Sequence, residues 1–368
     1  VCSMKAGIRR RFRNRKGGVA VKRKWMSCIA VTVLLMMAVS NVAIAATKYQ
    51  WRIASEEIAG SVADMYAHEF ARLFKEKSKG AIQLDVYPSG TLGSPTEMFE
   101  LTLNGAVEFC LTGPGQSGSI VPENQLFGLH FLFSDNQKVN DTFLATSKAL
   151  NQELNAIYEK KGLSVLAYFN EGAMYWTANK PIRKPDDFKG VKFRVMPSEL
   201  LVAAYKAYGA NPTPLSFNEL YSALQLRTVE GQENAPYIVQ EMKFMEVQKC
   251  LIASRHNIYV MQNLANLQFL KGLPEDIRKI VLESVEELRP YILKVQDDLN
   301  TKRLEMMVKE FKPGQELVEL TAEERAAFRE IAKKADETYF QLSRNPEFAK
   351  KLLAQFREEM ASVEASMK

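Results

Sequence analysis

Residues 187–237 read DFKGVKFRVMPSELLVAAYKAYGANPTPLSFNELYSALQLRTVEGQENAPY. VKFRV (191–195) reads as a strand. SELLVAAYKAYG (198–209) reads as a helix that Ser198 can cap and Gly209 can end, since a glycine reaches the left-handed cap position without strain. LSFNELYSALQ (215–225) is a second helix, with Ser216 and Glu219 at capping-box spacing. Arg194 thus stands in a strand and Asn234 at a turn forty residues later. A guanidinium offers two parallel donors to a carboxylate and an amide can add another, so this pair suggests a pocket for an acid.

The same alternation extends outward. TKYQWRIAS (47–55) is a strand, GSVADMYAHEFARLFKEKSKG (60–80) an amphipathic helix ending at Gly80, and AIQLDVYP (81–88) a second strand closed by a turn at Pro88, Ser89 and Gly90. A helix from about Pro95 to Asn104 leads into VEFCLTG (107–113), and LSVLAYFN (163–170) begins another cycle. Strands alternating with helices imply an α/β chain with a largely parallel sheet. After KCLIASRHNIYVMQ (249–262) the chain turns mostly helical: a long segment starts near Pro274 and runs towards Phe311, with Pro290 expected to kink it. Thr321 and Glu324 cap the next helix, and PEFAKKLLAQFREEMASVEA (346–365) is the last.

The first 45 residues hold ten Lys/Arg and no Asp/Glu, then an apolar run of twelve residues from Cys28 to Val39, then Ala43-Ile44-Ala45. A span needs roughly 20 apolar residues, so the layout implies a cleaved secretory leader covering residues 1–46. An uncleaved N-terminal anchor is the alternative. Without the ten leader bases, 39 Lys/Arg face 43 Asp/Glu, a net charge of −4 in place of +6. The basic balance belongs to the leader, no basic stripe interleaved with aromatics follows it, and no nucleic-acid partner is expected. Cys110 and Cys250 remain, in apolar contexts that suit buried thiols or a disulfide alike. About 320 residues are left, more than one core usually holds, so two domains are expected.

KGVKFRV (189–195) and EGQENAP (230–236), with the order of landmarks from about Tyr49 to about Phe311, resemble the solute-binding proteins of tripartite ATP-independent periplasmic (TRAP) transporters of the DctP-like family. In that family the matching arginine and asparagine hold the ligand's carboxylate. The resemblance implies an α/β periplasmic-binding-protein fold of two lobes, with a long helix crossing both and further C-terminal helices. Residues 47–171 with 260–299 would form lobe I, and 172–259 with 300–368 lobe II, with ligand in the cleft between them. It also implies a periplasmic monomer that delivers a small-molecule carboxylate to TRAP membrane permease subunits. Phe217 falls at the position of an aromatic that flanks the ligand, with plain core packing as the alternative.

Where many acid-binding members carry a second arginine this chain has Met174, with Tyr175 and Trp176 beside it in EGAMYWTANKPI (171–182). Two rings and a thioether on the cleft would suit an aromatic or bulky monocarboxylate, such as an indole or phenyl acid or an aromatic amino acid. The alternative is that Tyr175 and Trp176 point into the second lobe's core. A C4-dicarboxylate or sugar acid, or a role reporting ligand to a sensor kinase, are the competing readings of function. In GPGQSGS (113–119) Gln116 could bond the ligand, and Glu97 could receive an ammonium; a purely structural role is the alternative for each.

His68, His130 and His256 are far apart in sequence, with no ligand spacing on a shared helix face, so no metal or other cofactor is expected. His256 reads as a hydrogen-bonded residue of a segment crossing between lobes, and His130 stands where the family usually has proline. No serine nucleophile elbow is present, and an enzyme is not expected.

Overall fold

The computed structural model describes residues 47–367, so the leader expected at 1–46 lies outside the described residues. The strands assort into two sheets. β1 (Tyr49–Ser55), β2 (Ile82–Tyr87), β3 (Phe109–Thr112) and β4 (Leu163–Ala173) belong to the first; β5 (Tyr175–Ala178), β6 (Lys192–Val195), β7 (Asn211–Pro214), β8 (Gly231–Asn234) and β9 (Cys250–Ala253) to the second. β10 (Ile258–Asn266) returns to the first and β11 (Glu316–Glu319) completes the second. The first sheet has the order β2-β1-β3-β10-β4, with β1 parallel to both neighbours and β10 antiparallel to both of its own. The second has the order β11-β9-β5-β8-β6-β7, in which β5 alone opposes its neighbours.

Helices between parallel strands form where the sequence spaces apolar residues three and four apart. In Val62–Lys77 the positions Val62, Tyr66, Phe70, Leu73 and Phe74 are buried against β1 and β3, where Trp51, Phe74 and Phe109 meet edge-on. Ser61 accepts from the Asp64 amide to start the helix, and Gly80 follows its end at φ +88°.

The chain passes from the first sheet to the second through the single residue Met174, and back through Ser254–Asn257. These crossings touch: the Met174 amide donates to the Asn257 carbonyl at 2.8 Å, and the Ser254 hydroxyl to the Met174 carbonyl at 3.2 Å. Just before the first crossing, Gly172 sits at φ +119°, and a Cβ there would lie 2.3 Å from Asn300 Nδ2. Glycine is required for both reasons. Asn300 belongs to the helix Glu275–Lys309, whose 35 residues continue through Pro290, about 52 Å at 1.5 Å per residue. The expected kink does not divide the helix. Its Val281, Val285, Leu288 and Ile292 seal the first sheet, and its far end reaches the second half through Arg303, which bonds Gln240 and Glu241.

Two expectations are corrected here and one that stood open is settled. The last helix, Pro346–Ser366, packs on the first sheet's side, where Phe356 meets Phe143 at 4.4 Å and Phe133 at 5.4 Å between ring centroids; it was expected with the second lobe. Ser216 and Glu219 form no capping box, because the chain enters through a 3₁₀ turn, Phe217–Glu219, ahead of the helix Leu220–Gln225. Cys110 and Cys250 are free thiols buried in different sheets. Two capping boxes do form, at Thr321/Glu324 and at Ser94/Glu97.

Candidate functional site

A cavity of about 410 Å³, its mouth included, opens between the sheets where β1, β3, β6 and β8 end. Carboxyl ends of parallel strands that point into one crevice are where open α/β sheets hold ligands. Its walls are Glu56, Glu57, Pro95 and Gln116 from the first half, Arg194, Met196, Phe217, Glu233 and Asn234 from the second, and Met174 and Tyr259 at the crossings.

Arg194 is 2% exposed, and no acid of the described residues forms an ion pair with it. Its Nε donates to the Leu215 carbonyl at 3.0 Å, which aims the guanidinium along the cavity. Burial draws its pKa down to about 10, and the charges of Glu233, Tyr259 and Glu56 limit the fall. It therefore stays cationic at neutral pH. Asn234 lines the same wall and donates to Gln232 Oε1 at 2.5 Å.

Facing this cation is an acidic wall. Glu56 accepts from the Thr112 hydroxyl (3.0 Å), the Gly113 amide (2.8 Å) and the Tyr259 hydroxyl. Only glycine fits at 113, since a Cβ would meet Glu56 Oε1 at 2.8 Å and the Tyr259 hydroxyl closer still. Glu57 is 8% exposed, and its Oε2 is buried with no partner. Burial and the neighbouring Glu56 charge push its carboxyl up to about 8. Behind it Glu171 is pushed well above the carboxylate range by burial and by Glu57 and Glu56; it accepts from Tyr237 at 3.2 Å and leaves Oε1 unpartnered.

Met174, Met196, Phe217 and Pro95 supply the apolar faces, and Gln116 adds a buried, unpartnered Oε1. Beneath the floor, Glu233 Oε2 lies 2.7 Å from His256 Nε2 and 2.5 Å from the Tyr205 hydroxyl, to which Trp176 Nε1 donates at 2.8 Å. Burial alone would raise Glu233, but the hydrogen bond and charge of His256, with His130 and Tyr205, hold it below its usual range.

Of the residues expected at the site, the structure brings Arg194, Asn234, Phe217, Met174 and Gln116 to one cavity. It does not bring Trp176, Tyr175 or Glu97. Trp176 is fully buried among Phe188, Phe328 and His256 at 4.8–4.9 Å. Tyr175 turns into the other apolar cluster, under the Arg255 guanidinium at 5.4 Å. Consecutive strand residues point to opposite faces, so these two rings cannot share a wall. Glu97 is consumed as a helix cap: its carboxylate accepts from the Ser94 amide at 2.7 Å on an exposed turn, and Pro95 of that turn lines the cavity instead.

Sequence reasoning missed Glu56, Glu57, Met196, Glu233 and Tyr259. The Glu56-Glu57 pair was findable, since it directly follows the end of a parallel strand in ASEEIAG (54–60). Glu233 lies inside the quoted EGQENAP string, one residue before Asn234.

The family described as bacterial extracellular solute-binding protein, family 7 (DctP) matches residues 53–342. The chain is 31% identical over 331 residues to the ectoine-binding periplasmic protein TeaA of Halomonas elongata, covering 90% of this chain and 95% of that protein. The structure of that TRAP-transporter protein superposes at a TM-score of 0.81, over 85% of this chain and 99% of the other. The ectoine/5-hydroxyectoine-binding periplasmic protein UehA of Ruegeria pomeroyi is 33% identical over 293 residues, 80% of this chain and 86% of that one. A TRAP periplasmic solute-binding protein of Desulfovibrio salexigens, solved with bound orotic acid, is 29% identical with a TM-score of 0.80, over 86% and 100% of the two chains.

Proposed function

We propose that this chain, which belongs to family 7 of the extracellular solute-binding proteins and is a TRAP-type receptor for organic acids rather than an enzyme, captures a compact cyclic monocarboxylate that also carries a cationic or N–H-rich centre. The observation that carries this reading is the pairing, within one cavity, of a buried arginine lacking an acid partner with a buried carboxyl, Glu57, whose Oε2 lacks a donor. Arg194 and Asn234 take the ligand's carboxylate, and Glu57 and Glu56 take its positive end. Met174, Met196, Phe217 and Pro95 cover the ring between. Each charge-assisted bond sheltered from water is worth about 1.5–3 kcal/mol; a plain acid shares the Arg194 pole, so the acidic pole alone separates it from a zwitterion, by about ten- to a hundredfold per bond.

Two relatives named for ectoine, a cyclic amidine bearing a carboxylate, support the zwitterion. A neighbour bound to orotic acid, a flat ring acid rich in N–H, supports the shape. The aromatic monocarboxylate expected from the sequence is the second reading. It keeps Met174, Met196 and Phe217 but loses Trp176 and Tyr175 as covering rings.

Family members act with TRAP membrane permease components, and delivery of this ligand to such a permease from the periplasm, by a monomer, completes the proposal. No helix of the described residues is long and apolar enough to cross a membrane. Because the cavity walls come from both halves of the chain, a ligand that bridges them favours the closed arrangement by its differential contacts, a population shift.

The test is thermal stability with ectoine, 5-hydroxyectoine, orotate, an indole acid, a phenyl acid, succinate and galacturonate. A ligand at 100 times its Kd adds about 2.7 kcal/mol. The largest shift should come from the zwitterions. A shift only with indole and phenyl acids selects the second reading, and one only with succinate or galacturonate overturns both.

A further inference from the structure

We propose that His130, Glu233 and His256 form a binding site for a divalent transition-metal ion of the zinc type, which ties the two halves of the chain together at their crossover. One ligating atom from each of the three lies within 4.8 Å of the others, and the residues are 6%, 4% and 0% exposed.

The arrangement has the outer support that metal-binding imidazoles need. His130 Nδ1 is held by the Tyr208 hydroxyl at 2.9 Å and His256 Nδ1 by the Ser254 hydroxyl at 2.7 Å. Such bonds fix the ring orientation and leave Nε2 as the ligating atom. His256 Nε2 already points at Glu233 Oε2, 2.7 Å away, while His130 Nε2 is buried with no protein partner. The two ring centroids stand 4.5 Å apart, with the planes at 74°. Two imidazoles and a carboxylate are a zinc, cobalt, nickel or copper set, whereas calcium and magnesium take oxygen alone. The Tyr205 hydroxyl, 2.5 Å from Glu233 Oε2 and 3.4 Å from His256 Nε2, stands at the fourth side. Tetrahedral ligands at zinc bond lengths sit about 3.4 Å apart, so on binding the widest pair of ligand atoms, within 4.8 Å of each other, closes by up to about 1.4 Å, the Glu233–His256 pair opens from 2.7 Å, and the ion takes the place of any proton between them.

The ligands come from separate parts of the fold. His130 lies between Leu129 and Leu132, which are buried in the core that holds Phe143 and Phe356. His256 lies on the return crossing, and Glu233 in β8 of the second sheet. The Phe131 amide already donates to the His256 carbonyl at 2.6 Å, so the ion would reinforce an existing joint. Glu233 also lines the ligand cavity, which gives the ion its path in.

The chain has only three histidines, which makes the test clean. Purified protein, stripped with chelator, is titrated with Co²⁺ and with Zn²⁺ and examined by visible absorption, native mass spectrometry and thermal melting. The expected result is one ion per chain, the visible bands of four-coordinate cobalt, and a rise in Tm with Zn²⁺. His130→Ala abolishes all three. His130→Gln, which keeps a partner for Tyr208, does the same in a folded chain. His68→Ala changes nothing, since His68 is exposed beside Asp64. Absence of the cobalt bands and of the Tm rise in the unsubstituted protein overturns the site, as does undiminished binding by either His130 variant.

Discussion

His256 Nε2 lies 2.7 Å from Glu233 Oε2, with His256 fully buried and Glu233 at the cavity wall that carries Arg194. Glu233 is the acid whose charge most offsets the burial of that guanidinium. The pair therefore holds the charge that keeps the cavity-lining cation tolerable inside the protein. Removing one partner of a buried pair costs roughly 3–5 kcal/mol because the other is left uncompensated. His256→Ala should lose stability of that order in urea unfolding. An unchanged midpoint would mean that the pair is not formed.

Arg194→Lys should weaken binding of the acid ligand by about ten- to a hundredfold in calorimetry, the loss of one charge-assisted bond of about 1.5–3 kcal/mol. An ammonium cannot reproduce the fork, and no acid of the described residues waits to pair with it. Lysine at wild-type affinity would remove Arg194 as the anchor.

The free protein should lose stability as pH rises. Glu57, held near 8 in the folded state against an ordinary 4.5, keeps its proton while the unfolded chain gives its own up. The folded state thus binds more protons between those values, and stability falls from about pH 4.5 until it levels near pH 8. Glu56 and Glu171, raised by the same burial, add to the slope. Glu57→Gln should flatten the curve in part and raise Tm at pH 8. A slope untouched by the substitution would place the proton elsewhere.

Binding of a zwitterion should also release protons, since a cation beside Glu57 favours its ionised form. Calorimetry at pH 7 in buffers of differing ionisation enthalpy reads this directly. Glu57→Gln should reduce the release and weaken zwitterions more than plain acids. Equal losses for both classes would detach Glu57 from the cationic end.

Trp176→Phe should cost stability and leave ligand preference alone. The indole donates to Tyr205 and fills the space between Phe188 and Phe328, with none of its surface on the cavity. The loss of volume and of a buried hydrogen bond amounts to about 1–3 kcal/mol. A change in the order of ligands, at any stability, would return Trp176 to the cleft.

Local pattern carried much of this protein. Strand and helix alternation over 47–113 and 187–237, the cap at Ser198, the end at Gly209 and the long helix after Pro274 are all written in residues a few positions apart, which is the range over which periodicity and capping act. Arg194 and Asn234 were legible as lining residues because they lie in one short stretch, although Asn234 closes strand β8 where a turn was expected. The seat of the last helix was not, because an amphipathic face states that it will be buried but not against which sheet; Phe356 found Phe143 more than two hundred residues earlier.

The charge on the far side of the cavity was decided only in three dimensions. Glu56 and Glu57 face Arg194 because β1 and β6, in different sheets, end at the same crevice, and no spacing along the chain encodes that. Tyr175 and Trp176 were adjacent in sequence and parted in space, since a strand sends neighbours to opposite faces. His130, Glu233 and His256 show the converse, separated by 103 and 23 residues yet within 4.8 Å. Sequence determined the elements and one wall of the candidate site, because those depend on local backbone and side-chain chemistry. The opposing pole and the buried histidine cluster depend on which sheet ends meet, and that is settled by the packing of the whole chain.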